Sequence, residues 1–239
     1  MHIIRNSILC FVMVSVFVVQ KAESQTPATS EKILKTGIGF QLGVRFHQPD
    51  QVNQYITDLN DAFLQKYVEG PIEKKSLGPG AFLSVNGIFD IGPLFSAVPF
   101  AQSMWAGKQM YYTGGPAANI HVNTYTAMGG LNLWVRAINQ ELFKLRIGAG
   151  VYGTYTYVTT TGDVLHRRIR GSGVGGRALL GTELRLNEKT SLTFDCGVPF
   201  GKSKLYHFDP MTIDGIKIKY PKKLDHLGFE LSPGVVFYF

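Results

Sequence analysis

The chain has 239 residues, 24 Lys and Arg against 17 Asp and Glu, a formal charge of +7, and 45% apolar but only 17% charged residues. That charged fraction lies well below the ~25% of a typical soluble domain, and 27 Gly with 12% aromatics suit a β protein with many turns rather than a disordered chain. The cations are dispersed or sit in loops, with no basic helix to carry them, which argues against nucleic acid and fits anionic lipid headgroups better.

Residues 1–24 read as a secretory leader. Arg5 gives the positive start, "ILCFVMVSVFVV" is the apolar core, and Ala22 and Ser24 are the small residues a signal peptidase needs, so cleavage is expected between Ser24 and Gln25. The apolar run is short for a membrane span, and Cys10 lies inside it behind Leu9, the wrong place for a lipoprotein anchor. Past the leader Cys196 stands alone, so no intramolecular disulfide or cysteine metal cluster is expected. The mature chain is then a short segment, 25–32, and one domain, 33–239. It contains no uninterrupted run of about 18 apolar residues. It is therefore either soluble outside the cytoplasm or a membrane β-barrel.

The first element, "TGIGFQLGVRFH", puts Ile38, Phe40, Leu42, Val44 and Phe46 on one face and Gln41, Arg45 and His47 on the other, a strand period. Residues 50–69 then change to a helical period, with Asp50 as N-cap and Gly70-Pro71 as the stop. Its stripe (Val52, Tyr55, Ile56, Leu59, Phe63 and Tyr67) is expected to pack on the barrel rim or the loop's own neighbours. The alternative is an exposed helix that binds a partner, and an exposed apolar stripe is a liability on a secreted surface. Strand alternation returns around Leu83–Ile91, in 95–105 despite Pro99, and in Tyr125–Val135. It continues in "FKLRIGAGVYGTYTYV", Val174–Leu186, Leu192–Phe200 and Leu227–Phe239, which makes eight strands.

Connections alternate between long and short. About 30 residues follow the first strand, then come a "DIGP" turn, a loop "AGKQMYYTGGPAAN", a link at "INQE", a loop "TGDVLHRRIRG", an "NEKT" turn and a long "KSKLYHFDPMTIDGIKIKYPKK". In an antiparallel meander that alternation gathers long loops at one end and short turns at the other, as in outer-membrane barrels. The fold expected is an all-β, eight-stranded, antiparallel up-and-down transmembrane barrel with a short helix in the first extracellular loop. The apolar face should meet lipid, where a charge costs ~2–4 kcal/mol at the midplane. The other face bears Arg45, Lys144, Arg146, Arg177, Glu183, Asp195 and Glu230, and an eight-stranded interior has room only for side chains. Buried charges must pair, so Arg146 is expected with Glu183 and Arg45 with Glu230.

These features resemble the small outer-membrane β-barrels of Gram-negative bacteria, the eight-stranded group that includes the OmpA-type transmembrane domain. The resemblance covers roughly residues 33–239. It implies that the last strand is read by the barrel assembly machinery, through Leu231, Val235, Phe237 and the terminal Phe239. Pro233 interrupts that register and removes a ladder donor, so a local irregularity is expected there. It also implies outer-membrane lipid as surroundings, no cofactor, and a structural, adhesive or surface-interaction role without catalysis.

Other signals carry less. "GSGVGG" (171–176) matches a dinucleotide pattern but precedes strand alternation instead of a helix. The histidines show no ligand spacing. Arg167, Arg168 and Arg170 of "HRRIR", with Lys217 and Lys219, are candidate contacts for lipopolysaccharide phosphates. The alternatives are a lipid-modifying barrel enzyme, for which His121 is the one rim candidate, and a soluble lipocalin-like carrier with its apolar face inside. A conducting pore is disfavoured by strand number. The oligomeric state stays open.

Overall fold

A computed structural model describes residues 35–47, 49–64, 77–112, 118–162, 165–206, 211–213 and 216–239. The expected leader, segment 25–32 and the Gly70-Pro71 helix stop lie outside the described residues. The strands are β1 (Thr36–His47), β2 (Gly80–Ile91), β3 (Phe95–Tyr112), β4 (Ala118–Asn139), β5 (Phe143–Gly162), β6 (Leu165–Arg185) and β7 (Thr190–Tyr206). Three short strands, β8 (Met211–Ile213), β9 (Ile216–Ile218) and β10 (Lys223–Asp225), precede the last, β11 (Gly228–Tyr238), and one helix, α1 (Asp50–Leu64), follows β1.

Seven sequential wall strands pair antiparallel, and β11 closes the ring by pairing with both β7 and β1. Closure removes sheet edges, which a spanning sheet needs because hydrocarbon offers no partner to a free N–H or C=O. The parity of alternation then sets which side chains face in and which face out along each regular stretch. Leu42, Leu83, Leu133, Val151, Val174 and Phe194 face outward and are exposed, while Arg45, Ser84, Asn132, Thr154, Arg177 and Asp195 face inward and are buried.

The wall is uneven in height. β1, β2 and β11 have 12, 12 and 11 residues, whereas β3 to β7 have 18, 22, 20, 21 and 17. At one end the turns at 92–94, 140–142 and 186–189 are short, and Gly92 takes a φ of 69° that a side chain would strain. At the other end only 113–117 separate β3 from β4, and only 163–164 separate β5 from β6. Segments expected as loops are thus strand: residues 106–112 and 118–119 of "AGKQMYYTGGPAAN" lie in β3 and β4, "HRRIR" lies in β6, and Lys202 and Lys204 lie in β7. Alternation continues through them, but its polarity reverses, and outward polar residues imitate a loop.

Pro99 and Pro233 each break the ladder on one side only. The β2–β3 pairing skips from Asn86↔Phe100 to Phe89↔Ala97, and the β1–β11 pairing skips from Gln41↔Gly234 to Val44↔Leu231, both without a change of register. The missing proline N–H explains the gap, and the intact pairing on the other side (Pro99↔Leu131, Pro233↔Phe194) explains why nothing slips. Among the described residues, the β4–β5 pairing shifts register between Arg136 and Ile138 at the turn end of β4.

Helix α1 sits inside the concave face of the tall β3–β7 wall. Asn53 N–H donates to Pro49 O at 2.9 Å, so Pro49, not Asp50, occupies the cap position. Val52, Tyr55, Ile56, Leu59, Ala62 and Phe63 are all at most 1% exposed. They pack with Ala106, Met110, Ile120, Val122, Val158, Ile169 and Leu205 of the wall and with Ile218, Tyr220 and Leu224. The apolar stripe therefore closes the loop end of the barrel.

Candidate functional site

Two layers fill the lumen. In the turn-side half, Arg45 Nε donates to Glu230 Oε1 at 2.6 Å, and the pair is directly opposed across β1 and β11. Arg177 joins from β6: its Nη1 lies 3.9 Å from Glu230, its Nε donates to Asn132 Oδ1 at 2.8 Å, and its guanidinium stacks 3.6 Å from the Phe100 ring. A second cluster centres on Arg146, 3.0 Å from Asp195 and 3.5 Å from Glu183. Lys144, directly across from Glu183, is nearer to it at 2.9 Å, and the Tyr238 hydroxyl donates to the same carboxylate at 2.9 Å. Arg146 and Glu183 do meet, but the cross-strand partner of Glu183 is Lys144 and the closer carboxylate for Arg146 is Asp195. A third pair, Arg136 with Asp90, closes the turn end.

The network leaves little space. A cavity among Gln41, Gln102, Asn132, Arg146, Arg177 and Glu230 measures about 30 Å³, room for about one water. Toward the turn end the lumen widens to a vestibule of about 410 Å³ beside Arg136, Lys144 and Tyr238.

In the loop-side half the filling is apolar, and α1 is held by a few polar ties. Tyr55 and Thr160 share a hydrogen bond of 2.9 Å, Leu77 N–H donates to Asn53 Oδ1 at 2.8 Å, and Lys222 and Lys223 N–H both donate to Gln51 Oε1. Burial raises the Tyr55 phenol above its ordinary range; the Thr160 hydrogen bond and the Arg167 charge oppose the shift.

Between the two fillings, the segment after β10 lays His226 against the wall. Its Nε2 lies 2.7 Å from Ser203 Oγ, which also contacts the Thr154 and Thr156 hydroxyls. Burial, with Arg45 and His47 nearby, lowers the imidazole to about 3, and the Glu230 charge partly opposes this. Ser203 and His226 are 0% and 1% exposed, so this serine–histidine contact faces the interior. His121, the rim candidate, is half-buried on β4 with Gln109 and Thr161 as cross-strand partners.

The outer wall also has two parts. Below, an apolar belt includes Leu42, Leu133, Val151, Phe194 and Phe237. Above it, Trp105, Tyr125 and Tyr157 form a directly paired row across β3, β4 and β5, and the two tyrosine rings stack at 4.9 Å. Such a row suits a membrane–water boundary. On β6 and β7 the boundary is basic instead, with Arg168 and Arg170 near Lys202 and Lys204. Of the other expected contacts, Arg167 is exposed at the rim near Tyr55, Lys219 is exposed, and the side chain of Lys217 lies outside the described residues. Leu231 and Val235 are half-buried on β11, while Phe237 and Phe239 are exposed at the turn end. Lys202 and Lys204, cations of the expected fourth loop, share the even-numbered outward face of β7 with Phe194 and Phe200.

A closed eight-stranded meander with an apolar exterior and charge-paired lumen defines a transmembrane β-barrel. Among solved structures, the outer membrane protein OprG from Pseudomonas aeruginosa aligns with a TM-score of 0.52 at 12% identity, over 88% of this chain and 98% of that one. Ail, the attachment invasion locus protein of Yersinia pestis, in complex with a heparin analogue, aligns at 0.45 and 7% identity, over 86% and 99%. The outer membrane protease OmpT from Escherichia coli aligns at 0.42 and 8%, over 90% and 99%. No family model and no curated protein sequence matches the chain.

Proposed function

We propose that the protein is an integral outer-membrane barrel with a structural, adhesive or surface-interaction role, exported by its leader and neither a pore nor an enzyme. The observation that carries this reading is the doubly filled lumen: a paired charge network below and a helix-capped apolar cluster above. A network in which each removal strands a buried charge resists opening. The long-loop end faces outside and both chain ends of the wall face the periplasm, following the usual asymmetry of such barrels. The kinship is with the eight-stranded OmpA-type group, and Leu231, Val235, Phe237 and Phe239 serve as the signal to the assembly machinery. Outer-membrane lipid and lipopolysaccharide are its immediate partners.

The test is planar-bilayer recording on the full chain, alongside membrane fractionation with boiled and unboiled gel mobility. Fractionation to the outer membrane, a heat-dependent shift and no unitary conductance are expected. Steady single-channel steps would overturn the non-pore reading, and recovery in the soluble fraction would overturn the barrel's location.

A further inference from the structure

Cations are distributed unevenly around the outer wall. On β3 to β5 the outward positions described above the aromatic row include Gly107, Gln109, Asn119, His121, Asn123, Thr159 and Thr161. None is a lysine, arginine or carboxylate. On β6 and β7 the corresponding outward positions hold Arg168, Arg170, Lys202 and Lys204. β10 extends the patch, since Lys223 pairs with Lys204 and Asp225 pairs with Lys202.

The patch is basic on balance. Asp225 lies 3.9 Å from Lys202 and 3.8 Å from Lys223, both long contacts, and the Lys202 side chain keeps 65% of its surface exposed. Aromatic faces hold two of the other cations: Arg168 lies 4.1 Å from the Tyr157 ring centroid and Lys204 lies 5.8 Å from that of Tyr206. Cation–π contacts of this kind orient a side chain without neutralising it. Along β6 the patch runs from Arg168 toward Val174, about 20 Å at ~3.3 Å per residue.

What lies directly beneath points to the occupant. Val174 is opposite Lys202 on the outward face, and Phe200 precedes Lys202 by one outward step; they are 76% and 51% exposed. One ligand class matches cations set on top of bare apolar wall: a lipid whose chains lie along the belt and whose headgroup phosphates reach the cations. Resting on the membrane-barrel reading above, we propose that the β6–β7–β10 face is a docking site for the phosphorylated headgroup of an outer-leaflet glycolipid of the lipid A type. Arg168 and Arg170 contact one phosphate and Lys202, Lys204 and Lys223 a second, by charge-assisted hydrogen bonds. Arg167, turned toward α1, and Lys219 are left outside this site.

The test is native mass spectrometry of the detergent-purified full chain with diphosphoryl lipid A, with phosphate-free lipid A and with inorganic phosphate as competitor. Wild type should retain diphosphoryl lipid A, and R168Q/R170Q/K202Q/K204Q should bind it about tenfold or more weakly, as expected when several headgroup cations are lost. Phosphate-free lipid A should bind wild type no better than the variant. A control, N119Q/N123Q, alters the neutral β3–β5 face and should leave binding unchanged. Equal binding by the quadruple variant, or equal retention of the phosphate-free lipid, overturns the site; displacement by millimolar inorganic phosphate assigns it to a free anion instead and also overturns the proposal. Heat-dependent gel mobility is read on every variant. A folded barrel with unchanged lipid binding removes this site alone, while a wild-type chain lacking the shift removes the barrel reading beneath it.

Discussion

The turn-side and loop-side halves of the barrel are built from the same strands with opposite chemistry. Along β4, outward positions change from Val135, Leu133 and Leu131 to Asn123, His121 and Asn119, while inward ones change from Arg136 and Asn132 to Val122 and Ile120. β5 makes the same exchange, from Val151 outside to Thr159 and Thr161 outside, with Val158 inside. Along these stretches the parity is constant, and only the solvent beyond the wall changes. Where the wall meets hydrocarbon, the polar residues retreat inward and must satisfy one another. Where it meets water, the ordinary rule returns and the core is apolar. The loop-side half is in effect a small soluble domain, a curved sheet with α1 on its concave face, mounted on a membrane protein.

Substitutions in the two halves should therefore fail differently. The largest loss is expected from Glu230→Gln, which leaves Arg45 and Arg177 buried without their shared carboxylate. Removing one partner of a buried pair costs about 3–5 kcal/mol. Urea unfolding of the barrel in liposomes should show it globally, and an unchanged midpoint would mean that water already screens the network.

Leu59→Ala should cost about 2–5 kcal/mol by leaving a cavity at a position with 0% exposure. Its effect should stay local: faster amide exchange in α1 and in the loop ends of β3 to β7, with heat-dependent gel mobility retained. A loss of the whole barrel fold would show that the two halves are one cooperative unit.

Outward substitutions on one strand test the boundary itself. Leu133→Arg should cost about 2–4 kcal/mol and Asn123→Arg about 0–1 kcal/mol, because the penalty depends on depth in the bilayer. Equal costs at the two positions would erase the distinction between the halves.

The smallest effect concerns the seam. His226 is held neutral in the folded state, at about 3, while the unfolded imidazole protonates near 6.5. Between those values the unfolded chain binds more protons, so stability is full above about 6.5 and falls as pH drops toward about 3. Proteolysis of the segment around β10 should therefore increase between pH 7 and pH 4. His226→Gln should flatten that slope, and a slope unchanged by it would assign the effect to other groups.

Much of this was legible from pattern. Alternation gave the faces of β1, β5 and β11 directly, and the helical stripe from Val52 to Phe63 was readable because its 3.6-residue period sits between two stretches of period two. The pairs were less legible. Arg45–Glu230 follows from closing the first strand on the last, but Arg146 could be placed with Glu183 only by direction. Its nearer partner, Asp195, comes from β7, two strands away, across a lumen narrow enough for long side chains to meet. Composition misled at "HRRIR" and "KSKLY", where cations spaced two apart on a strand look like a loop until the sheet is closed.

The sequence by itself determined which residues share a face, since period two is a local property of extended backbone. It also determined that the wall is apolar on one side and charged on the other. Only the tertiary structure decided which cations meet which carboxylates, that α1 turns its stripe inward to cap the barrel, and that Arg168, Arg170, Lys202 and Lys204 form one patch. Those are relations between strands far apart in the chain, set by register and closure, and no local period encodes them.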